Sequence, residues 1–364
     1  MPIGLLTDIS ASFHISEAAT GVMISVYAWG VMLLSLPLMV FASHFDLRHL
    51  LLAVIALFAC GQFLSAVAPT FPILVLARLV VAAAHAIFWS IASVMAARLV
   101  DAEYGALALS MIATGSSIAQ IFGLPLGRAI GLAVGWRMTF CVVGAVSATV
   151  LVYQAVVFPA MPAGERFTLG QLPSLMRNRV LLALYAVTIF MSCSYYVGYS
   201  YIEPFMQQVA HVDAAVITMA LTVFGFAGLL GSISFSRFFD GHRFCFLLTM
   251  IGGLALSLLL MRAASISLVT VFALCVLWGL CATAFNVAFQ AEVISFTQAS
   301  ASAVAMSIFS GLFNLGIGCG TAIGGAVVSR GAIASIGYVG AAIGVLGVIC
   351  TVAWLSPAMR RARG

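Results

Sequence analysis

The chain has 364 residues, of which 64% are apolar and 7% charged, and its mean hydropathy is +1.20. A soluble domain carries roughly a quarter charged residues, so this chain has too little polar surface to meet water, and the two soluble domains its length could suggest are excluded. The formal charge of +5 comes from arginines set between long apolar runs, not from a clustered basic face, which excludes a nucleic-acid partner.

A bilayer core needs about 20 mostly apolar residues per helix. Eleven such stretches follow one another, near 18–42, 50–68, 72–97, 105–127, 136–158, 180–203, 214–237, 244–261, 266–291, 301–328 and 336–355. Charges and Pro or Gly punctuation fill the breaks, as at 43–49, 69–71, 98–104, 128–135 and 159–179. The runs are too long, and alternate too little, for the strands of a membrane barrel. The predicted fold class is therefore an all-α polytopic membrane protein. All eight cysteines fall within the apolar stretches without a CxxC. They read as small packing residues; no metal site and no cofactor is predicted.

One set of alternate loops, with the carboxyl tail, holds Arg48, Arg98, Arg166, Arg177, Arg179, Arg237, Arg243, Arg360, Arg361 and Arg363. The other holds Arg128, Arg137, Arg262 and Arg330. Ten arginines against four place the first set and the tail in the cytoplasm.

Two features recur at nearly one offset. The charged turn at Asp46 and Arg48 returns at Asp240 and Arg243, with the aspartates 194 positions apart (240 − 46). Gly123 and Gly127 match Gly320 and Gly324, 197 apart (320 − 123). Parallel halves of about 195 residues follow: an amino-terminal half over 1–158, a cytoplasmic linker over 159–179, a carboxyl-terminal half over 180–355 and a cytoplasmic tail over 356–364. The stretch 180–203 opens the second half, and its partner would lie near −15 to 8 (180 − 195 and 203 − 195). The chain thus reads as a twelve-span protein without its first span, and Met1 is expected to be an internal methionine.

Several strings carry a resemblance: Pro2-Ile3-Gly4-Leu5-Leu6-Thr7-Asp8-Ile9, Tyr27-Ala28-Trp29, Ala84-His85-Ala86-Ile87-Phe88-Trp89-Ser90, and Gly123-Leu124-Pro125-Leu126-Gly127-Arg128. Gly135-Trp136-Arg137-Met138-Thr139-Phe140, Tyr199-Ser200-Tyr201-Ile202-Glu203-Pro204-Phe205 and the run from Phe309 to Gly318 complete them. Over its whole length the chain resembles the major facilitator superfamily, and within it the bacterial sugar efflux transporters of the drug:proton antiporter group. The superfamily's charged signature after the second span is degenerate, with Ala42 where a Gly is usual. The resemblance implies two six-helix halves with the first helix missing, so that spans 2–6 and 7–12 are present. It also implies a monomer in the bacterial cytoplasmic (inner) membrane whose partners are the lipid bilayer, protons and a small polar solute, a sugar or a sugar-like metabolite. Export by proton antiport with alternating access is the implied activity. Drugs or nucleosides are the alternative substrates, and a non-transporting sensor or fragment is the alternative role. An enzyme is not expected, since no HExxH, GxSxG or carboxylate cluster is present.

Within that frame Arg78 matches the superfamily's fourth-span arginine, which implies proton coupling; a snorkelling or interhelical arginine is the other reading. His85, seven residues on (85 − 78), shares its helix face and suits proton handling or sugar binding. Tyr27 and Tyr195 are expected in the substrate cavity, where aromatic faces cover sugar C–H surfaces, and Tyr201 in an interfacial belt. Asn286 and Asn314 are expected to read substrate hydroxyls, with Gln290 and Gln120 as further amides. Glu203 and Glu292 read as solvated or gating carboxylates. Asp46, Arg48, Gly123, Pro125 and Gly127 carry structural or gating roles, the glycines by close helix approach and Pro125 by bending its helix.

Overall fold

The computed structural model describes residues 2–42, 45–101, 104–161, 172–298 and 301–363, and among them every regular element is helical. After a 3-10 turn (Pro2–Leu5) come α1 (Leu6–Phe13), α2 (Glu17–Ala42), α3 (Leu47–Val67), α4 (Phe71–Arg98), α5 (Gly105–Val134) and α6 (Trp136–Val157). Of the predicted linker, residues 162–171 lie outside the described ones. Then follow α7 (Leu172–Arg177), α8 (Arg179–Tyr199), α9 (Ile202–Gln208), α10 (Ala214–Leu259), α11 (Met261–Ala264), α12 (Leu268–Ser295) and α13 (Ser302–Val328). The chain ends with α14 (Ile336–Cys350), a π-helical turn (Thr351–Leu355) and α15 (Ser356–Arg363).

Each predicted stretch falls on a helix. Two of them share α10, which kinks where His242 leaves helical geometry at φ −141°. Nine helical segments among the described residues are long and apolar enough to cross a membrane. Val156, Val269 and Ile266 stand 80%, 78% and 85% exposed, a surface that hydrocarbon accepts and water does not. One boundary differs from expectation. The break predicted at 128–135 is helical to Val134, because Arg128 is buried at 2% exposure. The helix stops only at Gly135, whose φ of 92° suits a residue without a Cβ.

The chain forms two compact units. The smaller holds Val26–Gln120 and Gly127–Leu169, the larger Met1–Ser25, Ile121–Leu126 and Gly170–Gly364. In the smaller unit α3 packs on α4 and α6. A Cβ at Gly61 would come 2.6 Å from the Val81 side chain and 3.2 Å from its backbone nitrogen, so glycine sets the α3–α4 spacing. In the larger unit α10 packs on α12, while α13 and α14 pack on α8. There Gly320 lies against the Cys193 carbonyl, and a Cβ at Gly324 would sit 2.7 Å from that of Val197. Lipid tails are as apolar as leucine, so such close approach and interhelical hydrogen bonds hold the helices together. Ser194 donates to the Gly340 carbonyl at 2.7 Å and Tyr185 to that of Ala305 at 3.0 Å.

Gly320 and Gly324 thus lie against α8, whereas a Cβ at Gly115 or Gly123 would meet nothing within 4 Å among the described residues. Pro125 is buried inside α5, which runs through it, and the Gly127 carbonyl accepts a bond of 3.0 Å from Thr139.

Candidate functional site

Three predicted residues come together in the smaller unit. Arg78 is 7% exposed on α4, and it makes the interhelical contact that is its other reading. Its Nη1 donates to Gln62 Oε1 on α3 at 3.2 Å, and the guanidinium carbon lies 5.2 Å from the Tyr27 ring centre and 5.4 Å from that of Phe140. Arg78 Nε has no acceptor among the described residues. Two aromatic faces and one neutral amide thus stabilise a buried cation, through ring quadrupoles and a charge-assisted bond. Two turns along α4, His85 Nδ1 lies 2.8 Å from the Tyr27 hydroxyl, with the rings edge to face at 87°.

This arrangement links protonation to hydroxyl direction. Neutral imidazole with its proton on Nε2 accepts at Nδ1, and Tyr27 donates to it. Protonated imidazole donates from both nitrogens, so Tyr27 must accept and its O–H turns elsewhere.

The larger unit gathers rings instead. Tyr195 stacks on Tyr199 at 4.7 Å and 20°, and Tyr199 stacks on Phe224 at 5.3 Å. Trp278, fully buried, meets the edges of Tyr195, Tyr199 and Phe224, and its indole nitrogen has no partner among the described residues. Asn314 is 7% exposed and donates to the Ser310 carbonyl of its own helix at 2.9 Å. Gln290 donates to Asn286 one turn away on α12. No hydrogen bond joins Asn286 or Asn314 to Tyr195 among the described residues. Gln120 lies on α5, its side chain outside the described ones.

Three expectations change. Tyr201 does not join an interfacial belt: it is 0% exposed, with its hydroxyl donating to the Thr321 carbonyl at 3.2 Å. Nor are the two carboxylates solvated, since Glu203 is 2% and Glu292 0% exposed. Glu203 accepts the Leu6 backbone N–H at 2.9 Å, and Glu292 faces Arg243 Nη1 at 3.6 Å. Finally, Arg48 is not the counterpart of Arg243. Asp46 caps α3, accepting from His49 N at 3.1 Å and lying 3.0 Å from its ring Nδ1, while Arg48 reaches the Ala155 carbonyl at 2.7 Å. Asp240 pairs with Arg243 three residues on at 2.7 Å. The recurring pairs are therefore Asp46–His49 and Asp240–Arg243, both offset by 194 (240 − 46 and 243 − 49). The His49 backbone N–H, first among the groups around it, holds the Asp46 carboxyl below the usual 3.8.

Sequence reasoning missed Gln62, which a lone amide in an apolar run does not signal. It also missed a link within the larger unit, where Gln208 Nε2 donates to both Glu17 oxygens at 2.9–3.0 Å and Thr7 donates to the same carboxylate at 3.1 Å.

Comparison with known proteins gives these residues a context. The profile of the Major Facilitator Superfamily matches residues 1–240 and 184–363. A protein of Mannheimia succiniciproducens named "Probable sugar efflux transporter" is 39% identical over 349 residues, covering 96% of this chain and 88% of that protein. Among solved structures, a mutant of the nucleoside transporter NupG superposes with a TM-score of 0.76 at 14% identity, over 97% of this chain and 94% of that one. A bacterial homologue of the human lysosomal transporter Spinster, in its inward-facing and unoccupied conformation, does so with a TM-score of 0.71 at 17% identity, over 100% and 92%. At those identities the likeness is one of fold.

Proposed function

The chain belongs to the major facilitator superfamily, and we propose that within it this protein exports sugars or sugar-like metabolites in exchange for protons. That it is a secondary transporter follows from the family and from the relative named as a transporter, and the same membership supports a transporting over a catalytic role. The sugar assignment is supported by the relative named for sugar efflux, which aligns with 96% of this chain. Proton exchange is supported by one observation above others: the 2.8 Å contact of Tyr27 with His85, beside the buried Arg78. An imidazole can take up a proton and release it, exchanging with one aqueous side at a time in this account, and Tyr27 converts that event into a turned hydroxyl. Tyr27, Tyr195, Asn286 and Asn314 contact the sugar in this account, Arg78 and His85 couple it to protons, and Asp46, Arg48, Gly123, Pro125 and Gly127 serve the conformational change. Halves over 1–158 and 180–355, joined by the linker 159–179, carry out alternating access. The monomer lies in the bacterial inner membrane with the tail 356–364 in the cytoplasm, as the arginine distribution favours.

The test is flux in proteoliposomes against a panel of radiolabelled mono- and disaccharides, one nucleoside and one lipophilic cation. The expected result is sugar movement driven by a pH gradient and collapsed by a protonophore. Flux of the nucleoside or the cation alone would overturn the sugar assignment, and sugar flux indifferent to the gradient would overturn the coupling.

A further inference from the structure

The bundle end at which α10 kinks carries chemistry that transport does not use. There the chain leaves its last span through the π-helical turn and enters α15, which packs on α8 and is pinned by Leu355 and Met359, 0% and 1% exposed. Arg360 and Arg361 project from the other side of α15 and are exposed. The Arg360 guanidinium lies 5.0 Å from the ring centre of Phe244, two residues past the His242 kink. Arg177 and Arg179 beside the start of α8, and Arg237 ahead of the kink, are exposed as well. Among the described residues, the acidic groups at this end of the larger unit, Asp240 and Glu292, both face Arg243, at 2.7 and 3.6 Å. Among the described residues no ion pair reaches the other five arginines.

What lies next to this basic surface decides its partner. Val352 and Trp354, in the turn just before α15, are 53% and 42% exposed on the outside of the span. An exposed apolar strip ending in a tryptophan and followed at once by arginines is the profile of a bilayer's hydrocarbon-to-headgroup boundary. A soluble anion would answer the charge and leave the strip uncovered; a phospholipid answers both. We propose that α15, with Arg177 and Arg179 beside it, forms a docking surface for anionic phospholipid headgroups of the phosphatidylglycerol class. The surface does not depend on what the protein carries, so it stands or falls separately from the sugar assignment.

A basic side chain close to an anionic membrane strengthens association about fivefold. The test uses the full chain in maltoside micelles, with lipid adducts counted by native mass spectrometry after titration with phosphatidylglycerol or phosphatidylcholine. The wild type should prefer phosphatidylglycerol, and R360Q/R361Q should lose about 25-fold of that preference. Arg330→Gln, at an exposed arginine between α13 and α14 and so at the opposite end of the last span from α15, should leave it unchanged and serves as the folded control. Inorganic phosphate at matched concentration should not compete. Equal binding of the two lipids by the wild type, an unaltered preference in R360Q/R361Q, an equal loss in Arg330→Gln or displacement by free phosphate would each overturn the proposal.

Discussion

In the smaller unit, Tyr27, Gln62, Arg78 and His85 bring a cation, an amide, a hydroxyl and an imidazole into contact across three helices. In the larger unit, Tyr195, Tyr199, Phe224 and Trp278 bring together rings, and the amides of Asn286 and Asn314 turn to groups on their own helices. Both clusters lie buried or half-buried within apolar helices, so burial alone does not separate them. They differ in what a proton can do there. The first contains an imidazole, which can take up or release a proton, with a hydrogen-bond partner that must respond. The second offers area, shape and polar tips, without a group that changes charge in this way.

That contrast orders the consequences of substitution. Trp278→Ala should have the largest effect on folding, since it empties a fully buried site; a loss of about 3–5 kcal/mol, read as the melting temperature in detergent, is expected. A near-unchanged melting temperature would show that the ring cluster is loosely packed and the distinction between the units misplaced. Tyr27→Phe keeps the ring under Arg78 and removes only the hydroxyl. It should cost about 1 kcal/mol of stability or less and yet lower gradient-driven flux about tenfold. Equal flux in Tyr27→Phe would make the Tyr27–His85 contact structural. Asn314→Ala removes a side chain whose donor is satisfied within its own helix, so stability should move little, while sugar affinity weakens about fivefold, a typical hydrogen bond. Stability lost with affinity retained would make Asn314 part of the packing. The smallest effect is expected at Asp46. Its carboxyl is held below 3.8 in the fold, so its contribution is complete above that pH and is lost as pH falls through the depressed value. Asp46→Asn should flatten a small drop in melting temperature below about pH 4.

The spans were legible because hydropathy over about 20 residues is a strong signal. Single side chains were legible only where helical spacing constrained them, as for Arg78 and His85 on one face of α4. Position in the chain could not reveal burial at helix ends. Glu203 and Glu292 stand beside loops, yet the fold closes over them because the Leu6 N–H and Arg243 provide partners from distant segments. The repeat offset found Asp46 and Asp240, and it would also have led from Arg243 to His49. Matching by charge type, however, pairs Arg243 with Arg48, one residue from His49. Gly123 and Gly127 matched Gly320 and Gly324 by spacing, but spacing does not say which helix, if any, lies opposite a glycine.

The central claim is that the Tyr27–Arg78–His85 group couples solute movement to protons, and the direct measurement is gradient-driven sugar flux by wild type and His85→Ala at pH 6 and pH 8, which bracket an ordinary imidazole pKa of about 6.5. Membrane insertion is checked in parallel by the yield of folded protein. The account predicts pH-dependent flux in the wild type and none in a correctly inserted His85→Ala. Equal flux from the two proteins at both pH values would contradict it.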